Sequence, residues 1–350
     1  MQAGETCYAG PFMPLRTTLV GALPKADFSP KLVGHNAFSV KPAYAAEIGR
    51  FLAKFDVGGY FEVQTLQALL QQVELGLDIL TEGELSRVDY WRYNCFYFDG
   101  LESDGGEIVV SGPVSLNDPV LHHDFSRAQA YTERPVKVAM AGPATLLDPT
   151  HLQDRHYGDR RQLHFDLAQA LNGEVRALAE AGCRWIQLDE PMLGFDTEMA
   201  LDYGIEALDV CFEGVGDEVN RVVHICRGYA IVDGDRSVRN PINPYPVLAA
   251  ALERSAATVV ALEAAAEGFD YELLETFATT AVMLGFIANV SSEVEQPDDI
   301  RREMLAALEH IDAERLIAAS DCGFANFRGV DATIVWRKIR NMVEAAGSVD

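Results

Sequence analysis

Four residues of this chain carry side chains that ligate soft divalent metals: His224, Cys226, Glu263 and Cys322. His224 and Cys226 lie in VVHICRG, Glu263 closes TVVALE, and Cys322 lies in SDCGF directly after RLIAAS. Each stands where an apolar run stops. Residues two apart on a strand face the same way, so His224 and Cys226 can act on one ligand. A His-x-Cys pair alone is more often packing than ligation. A carboxylate and a second thiol at two further strand ends make a set suited to zinc. Two thiolates and one carboxylate bring such a site to a net charge of about −1. That metal activates water poorly, but it strips the proton from a bound thiol and leaves a nucleophilic sulfur. The chemistry expected is alkyl transfer to a substrate thiol rather than hydrolysis, with Glu263 as the exchangeable ligand.

A second constellation suits the rest of a substrate. Glu84 in TEGE and Asp189 in IQLDE both end apolar runs. Two carboxylates there fit an ammonium group, as in an amino acid; general acid–base work or helix capping are the alternatives. Glu190 would face the other way and is expected to be structural. Trp91, with Tyr90 and Tyr93 in VDYWRYNCFYF, forms either an aromatic wall for a donor or part of the core. Arg87 and Arg227 can meet an anionic group, although Arg227 can equally pair with one of the many acidic residues.

These residues need a scaffold that gathers strand ends. Eight apolar runs alternate with helix-like stretches: 17–23, 77–84, 136–143, 183–191, 221–226, 257–263, 281–289 and 315–320. Helical periodicity is expected over 43–55, 62–76, 160–182, 198–215, 246–255, 271–280, 297–311 and 330–347. A polar, glycine-containing stretch at 99–118 reads as a hairpin or lid. The alternation argues for an α/β chain folded as a (β/α)8 TIM barrel, whose chemistry sits at the C-terminal strand ends. An open doubly wound sheet is the runner-up, but no glycine-rich dinucleotide fingerprint follows the first run. The division expected is a tail at 1–15 and one barrel over 16–350.

Composition narrows the partners. Asp and Glu number 53 against 28 Lys and Arg, a net charge of −25, which disfavours nucleic acid and anionic membranes. No apolar segment is long enough to span a bilayer, and the first residues do not resemble a secretory signal. The six cysteines are scattered rather than arranged as a disulfide framework, which suggests a cytoplasmic protein. Cys95, Cys183 and Cys211 read as buried small apolar residues, and Cys7 as part of the tail.

In order along the chain, LVGALP, GE at 83–84, AGPATLL, IQLDEPML, HICRG, LE at 262–263 and SDCGF resemble the catalytic domain of cobalamin-independent methionine synthases. The resemblance runs over about residues 16–345 and is closest to short, single-barrel members. It implies a zinc ion on His224, Cys226, Glu263 and Cys322 that activates homocysteine, with Glu84 and Asp189 holding the amino group. Ala22 replaces a small polar residue, and Tyr229 stands where short members often have asparagine. Both, with Trp91 and Arg227, are expected to line the substrates. The family's strand-seven histidine, thought to protonate the leaving group, is replaced by Val290, with Asn289 beside it as the remaining polar candidate. A folate amine leaves poorly unprotonated, so a donor needing no acid, such as a methyl carried by a corrinoid protein, is also expected. The alternatives are thiol addition to another electrophile, as in epoxide:thiol transferases, carbon–sulfur cleavage, or a non-catalytic zinc-binding scaffold.

Overall fold

The structure, a computed structural model, describes residues 14–24, 57–87, 90–95, 97–104, 107–148, 150–228, 239–325 and 331–349. Most of the expected tail with Cys7, the helix expected over 43–55, and Tyr229 lie outside the described residues. In chain order the strands are β1 (Arg16–Thr17), β2 (Leu80–Thr81), β3 (Phe98–Asp104), β4 (Glu107–Leu116), β5 (Val136–Ala141), β6 (Leu152–Asp154), β7 (Trp185–Asp189), β8 (Asn220–Ile225), β9 (Val259–Leu262), β10 (Ala281–Ile287) and β11 (Leu316–Ser320).

Eight of these form one sheet in the order β1-β11-β10-β9-β8-β7-β5-β2, and every pairing is parallel. Their Val-, Ile-, Leu- and Ala-rich runs are buried, as strands covered on both faces require. The two ends of the sheet meet, because Ile79 N–H donates to the Thr17 carbonyl at 3.1 Å and the Thr18 hydroxyl donates to the Ile79 carbonyl at 2.9 Å. The sheet is a curled barrel, in agreement with the fold expected. Ile79, Trp185, Val222, Val259, Ala261, Met283, Ile317 and Ala319 pack together as one apolar cluster. By strand alternation, the face that carries Val222 carries His224, and the face that carries Trp185 carries Gln187 and Asp189.

The helices follow from caps and periodicity. Arg160–Glu180 starts where the Asp159 carboxylate accepts from Arg161 N–H at 3.0 Å, and Gly182 follows its end with φ 98°. Its Leu163, Leu167, Leu171, Val175 and Leu178 form the buried stripe. In the last helix, Ala332–Ala346, Lys338 is buried and its Nζ lies 2.9 Å from both carboxylate oxygens of Glu295, fastening the helix to the loop after β10. Two helical stretches differ from expectation. The stretch 271–280 is a 3-10 turn over Tyr271–Thr276, and 198–215 is interrupted by a π turn at Ala200–Gly204. The stretch 99–118 is the antiparallel hairpin β3–β4, which β6 extends in parallel to a separate three-stranded sheet.

Candidate active site

The barrel brings the singled-out residues to one end. Asp189 closes β7, and its register partner on β8 is His224. Cys226 and Glu263 follow Ile225 and Leu262, which are partners across β8 and β9. Cys322 and Asn289 lie just beyond β11 and β10, and Ala22 and Glu84 beyond β1 and β2. All are at C-terminal strand ends.

His224, Cys226 and Cys322 converge, with one ligand atom of each lying within 4.8 Å of the others and all three residues buried. Neither ring nitrogen of His224 has a hydrogen-bond partner, which is costly for a buried imidazole that binds nothing. Burial pulls the His224 pKa down, but Cys226 beside it, with Asp189 and Glu263, carries it above the usual value. Contact with Cys322 holds the Cys226 thiol well below its ordinary range, burial opposing, while Cys322 is pushed up by that contact and by burial. The pair is therefore disposed to carry a thiolate on Cys226. Two sulfurs and an imidazole with no other partner fit a thiophilic divalent cation.

Glu263, expected as the fourth ligand, stands apart from this group. Its Oε2 lies 2.6 Å from a guanidinium nitrogen of Arg239, and both side chains are almost wholly buried. Burial, then the charges of Cys226 and Asp321, pushes its carboxyl up to about 8, with Arg239 pulling the other way. Its backbone is fixed separately. Glu263 N–H donates to the Tyr245 hydroxyl at 3.1 Å, and the next three amides, of Ala264, Ala265 and Ala266, donate to the Asp321 carboxylate at 2.9, 2.9 and 2.8 Å. Arg239 escaped sequence reasoning: it lies in a stretch with no periodicity, 24 positions from its partner.

The two carboxylates expected for an ammonium are both placed at the mouth. Asp189 accepts from Gln187 Nε2 at 2.7 Å, and the Lys137 ammonium in turn donates to Gln187 and to the Val20 carbonyl. Burial and Glu84 raise the Asp189 pKa to about 6 against the opposing pull of His224, Gln187 and Lys137. Burial likewise lowers Lys137 to about 8. Glu84 is buried and has φ 55°, a left-handed conformation that a non-glycine residue adopts at a cost, a form of strain common at functional sites. Its carboxylate fills the space where a Cβ on Gly21 would come within 2.8 Å of Oε1. Glu190 is structural, as expected. It accepts from the Ala144 and Thr145 amides at 3.0 and 2.9 Å, over Gly142, where any Cβ would strike it.

The remaining residues are placed as follows. A Cβ on Gly323 would come within 3.0 Å of the Ala22 side chain, so Ala22 packs beside the segment carrying Cys322. Asn289 donates from Nδ2 to the Gly323 carbonyl at 3.2 Å, and its buried Oδ1 has no partner. Trp91 is buried, with one ring face stacked on His151 at 4.3 Å, so that face is not an open wall for a ligand. Arg227 is taken up inside the protein, since it pairs with Glu267 at 2.6 Å and donates to the Asn240 carbonyl. Of the two roles expected for Arg227, pairing with an acidic residue is the one seen. Arg87 is similarly engaged by Glu82 and the Ala139 carbonyl.

Fold and site together define an α/β barrel whose C-terminal mouth gathers two thiols, an imidazole and a pair of carboxylates. Residues 52–348 match the family described as "Cobalamin-independent synthase, Catalytic domain", and the chain belongs to that family. It is 30% identical over 371 residues to a 5-methyltetrahydropteroyltriglutamate–homocysteine methyltransferase of Burkholderia thailandensis, covering 95% of this chain and 44% of that one. It is 24% identical to a methionine synthase of Thermococcus kodakarensis, covering 94% and 92% of the two chains. The chain thus spans less than half the length of the first relative and most of the second. Among solved structures, a B12-independent methionine synthase from Shewanella sp. W3-18-1, solved with selenomethionine, superposes with a TM-score of 0.79 at 23% identity, covering 95% and 97% of the chains. That likeness establishes the barrel. Among the described residues, no helix is long and apolar enough to cross a membrane.

Proposed function

We propose that this protein transfers a methyl group from a methylated pteroyltriglutamate to the thiol of homocysteine, using zinc held by His224, Cys226 and Cys322. The observation that carries the proposal is the convergence of these three buried ligands, an imidazole with no other partner and two thiols. The name of the Burkholderia relative gives a methyltetrahydropteroyltriglutamate as donor and homocysteine as acceptor. We take that donor rather than the corrinoid-bound methyl expected from the sequence, in keeping with the family's description as cobalamin-independent. When bound, zinc would deprotonate the substrate thiol and keep its sulfur nucleophilic at neutral pH.

The chain's own residues do the rest. Asp189 and Glu84 accept hydrogen bonds from the ammonium of the amino acid and orient its thiol toward the cysteines. Gln187 and Lys137 hold Asp189 in one rotamer and keep it ionised against its burial. Asn289 offers its free Oδ1 to an N–H of the bound donor. Val290, buried and apolar, has no proton to give a leaving amine, so that proton comes from solvent or from the donor's own protonated state. A second reading is that the activated thiol opens an epoxide: the sulfur forms a bond to a ring carbon, ring strain drives breakage of the C–O bond, and the alkoxide takes its proton from solvent.

Metal content of anaerobically purified protein, measured by mass spectrometry, tests the proposal. About one zinc per chain is expected, falling severalfold or more in Cys322→Ser. Absence of zinc, with none taken up on reconstitution, would refute it. Turnover of homocysteine with methylated pteroyltriglutamate, set against an epoxide, separates the two readings.

A further inference from the structure

We infer that Glu82 and Arg87 are positioning residues, which hold Glu84 in its left-handed conformation and so aim its carboxylate at the ammonium of the substrate. Glu84 meets that ammonium in the reading above, on which the inference rests; Glu82 and Arg87 have no part there. Among the described residues, Glu84 is the one non-glycine with positive φ, at 55°, and Gly83 before it has φ 81°. Two such residues in succession turn the chain sharply just beyond β2. Gly83 does so freely, whereas Glu84 stays there only if its surroundings hold it.

The contacts that hold it close on both of its peptide groups. Glu84 N–H donates to Glu82 Oε2 at 2.7 Å, and the Glu84 carbonyl accepts from the Arg87 N–H at 3.2 Å. A charged acceptor makes the first of these a short, strong bond. The Arg87 guanidinium then completes the ring, with one nitrogen bonded to Glu82 Oε1 and the other donating to the Ala139 carbonyl on β5. Ala139 is the register partner of Gln187 on β7, and Gln187 donates to Asp189. The turn that carries Glu84 is thus tied to the same level of barrel wall that fixes Asp189, which sets the spacing of the two carboxylates. On the far side Gly21 leaves the Glu84 carboxylate its room. Glu82, Glu84 and Arg87 are all buried, so loss of either partner of the Glu82–Arg87 pair strands a charge beside Glu84. With both terminal nitrogens committed and its guanidinium over the Tyr93 ring at 5.8 Å, Arg87 acts on the substrate through Glu84 rather than by contact.

The test is the affinity of the purified protein for L-methionine and for 4-(methylsulfanyl)butanoate, the same molecule without its amino group, measured by titration calorimetry. Neither carries a free thiol, so the comparison does not turn on zinc activation. Arg87→Met should weaken methionine about tenfold or more and change the deamino compound by less than about threefold. Glu82→Gln keeps the size of the glutamate and an acceptor oxygen but not its charge, and should show the same selectivity at about threefold or more. Adding Arg87→Met to Glu84→Gln should weaken methionine no further than Glu84→Gln alone, because both remove one interaction. A merely structural role would weaken both compounds alike, or add to the effect of Glu84→Gln, and either result would overturn the inference. Glu82→Gln decides the question if Arg87→Met does not fold. Wild type that binds the two compounds equally, or neither, would instead remove the ammonium reading beneath the inference.

Discussion

At the residue scale, Asp189 joins binding and stability in opposite senses. Its carboxyl is raised from 3.8 to about 6, chiefly by burial. The charged form that an ammonium needs is therefore lost as pH falls through about 6, and kcat/KM for homocysteine should fall there. Asp189→Asn keeps an oxygen for Gln187 but removes the charge, and should lower kcat/KM for homocysteine by about 100-fold, the scale of losing one partner of a buried charge pair. A thiol lacking the amino group should be affected far less, and steady-state kinetics on both thiols checks this. Stability should move the other way. Because the folded pKa lies above the unfolded one, ionised Asp189 weakens the fold fully above about pH 6 and not at all below about 3.8. Asp189→Asn should therefore raise Tm at pH 8 by an amount equivalent to about 1–2 kcal/mol, and leave it unchanged near pH 3.5, if the protein remains folded there. An unchanged Tm at pH 8 would show that Asp189 is not strained by its burial.

At the element scale, the loop after β9 depends on one carboxylate. Asp321 accepts from three consecutive amides, and Gly285 makes room for it, since a Cβ there would lie 2.0 Å from Asp321 Oδ1. Asp321→Ala strands those amides and should cost about 2–4 kcal/mol in denaturant unfolding. A loss below about 0.5 kcal/mol would mean that water takes over the three bonds. Asp321 stood in plain view in SDCGF, yet its role was not legible, because its partners are amides more than 50 positions away. The barrel strands were legible for the opposite reason, since each is a local apolar run: 221–226 was expected and Asn220–Ile225 is found. β1 and β2 are shorter than their runs, with two paired residues each. Beyond them the chain leaves the ladder through Gly21 and Gly83 to present Glu84 inward. The metal-binding candidates were readable because three of their side chains end runs that the barrel brings together. The partner of Glu263 was not, because an ion pair between a strand end and an aperiodic segment leaves no pattern in the sequence.

At the scale of the whole molecule, the net charge of −25 bears on the proposed donor. A pteroyltriglutamate carries several carboxylates in its tail, so the protein and its donor repel each other at long range. Among the described residues, the arginines near the barrel mouth that would offset this are already matched: Arg227 to Glu267, Arg239 to Glu263 and Glu267, Arg87 to Glu82. Lys137 is buried beneath Asp189 and unavailable to a tail in solvent. Repulsion of this kind acts over about a Debye length, near 20 Å at 20 mM salt and about 8 Å at 150 mM, so added salt should relieve it. The expected result is that kcat/KM for the triglutamate donor rises severalfold between about 20 and 150 mM salt, while that for a monoglutamate donor rises less. Measuring both donors across that range isolates the contribution of the tail. A kcat/KM for the triglutamate that instead falls steeply with salt would mean that a cationic groove receives the tail. Such a groove would be built from residues outside those paired above, and the acidic surface would then not set donor preference.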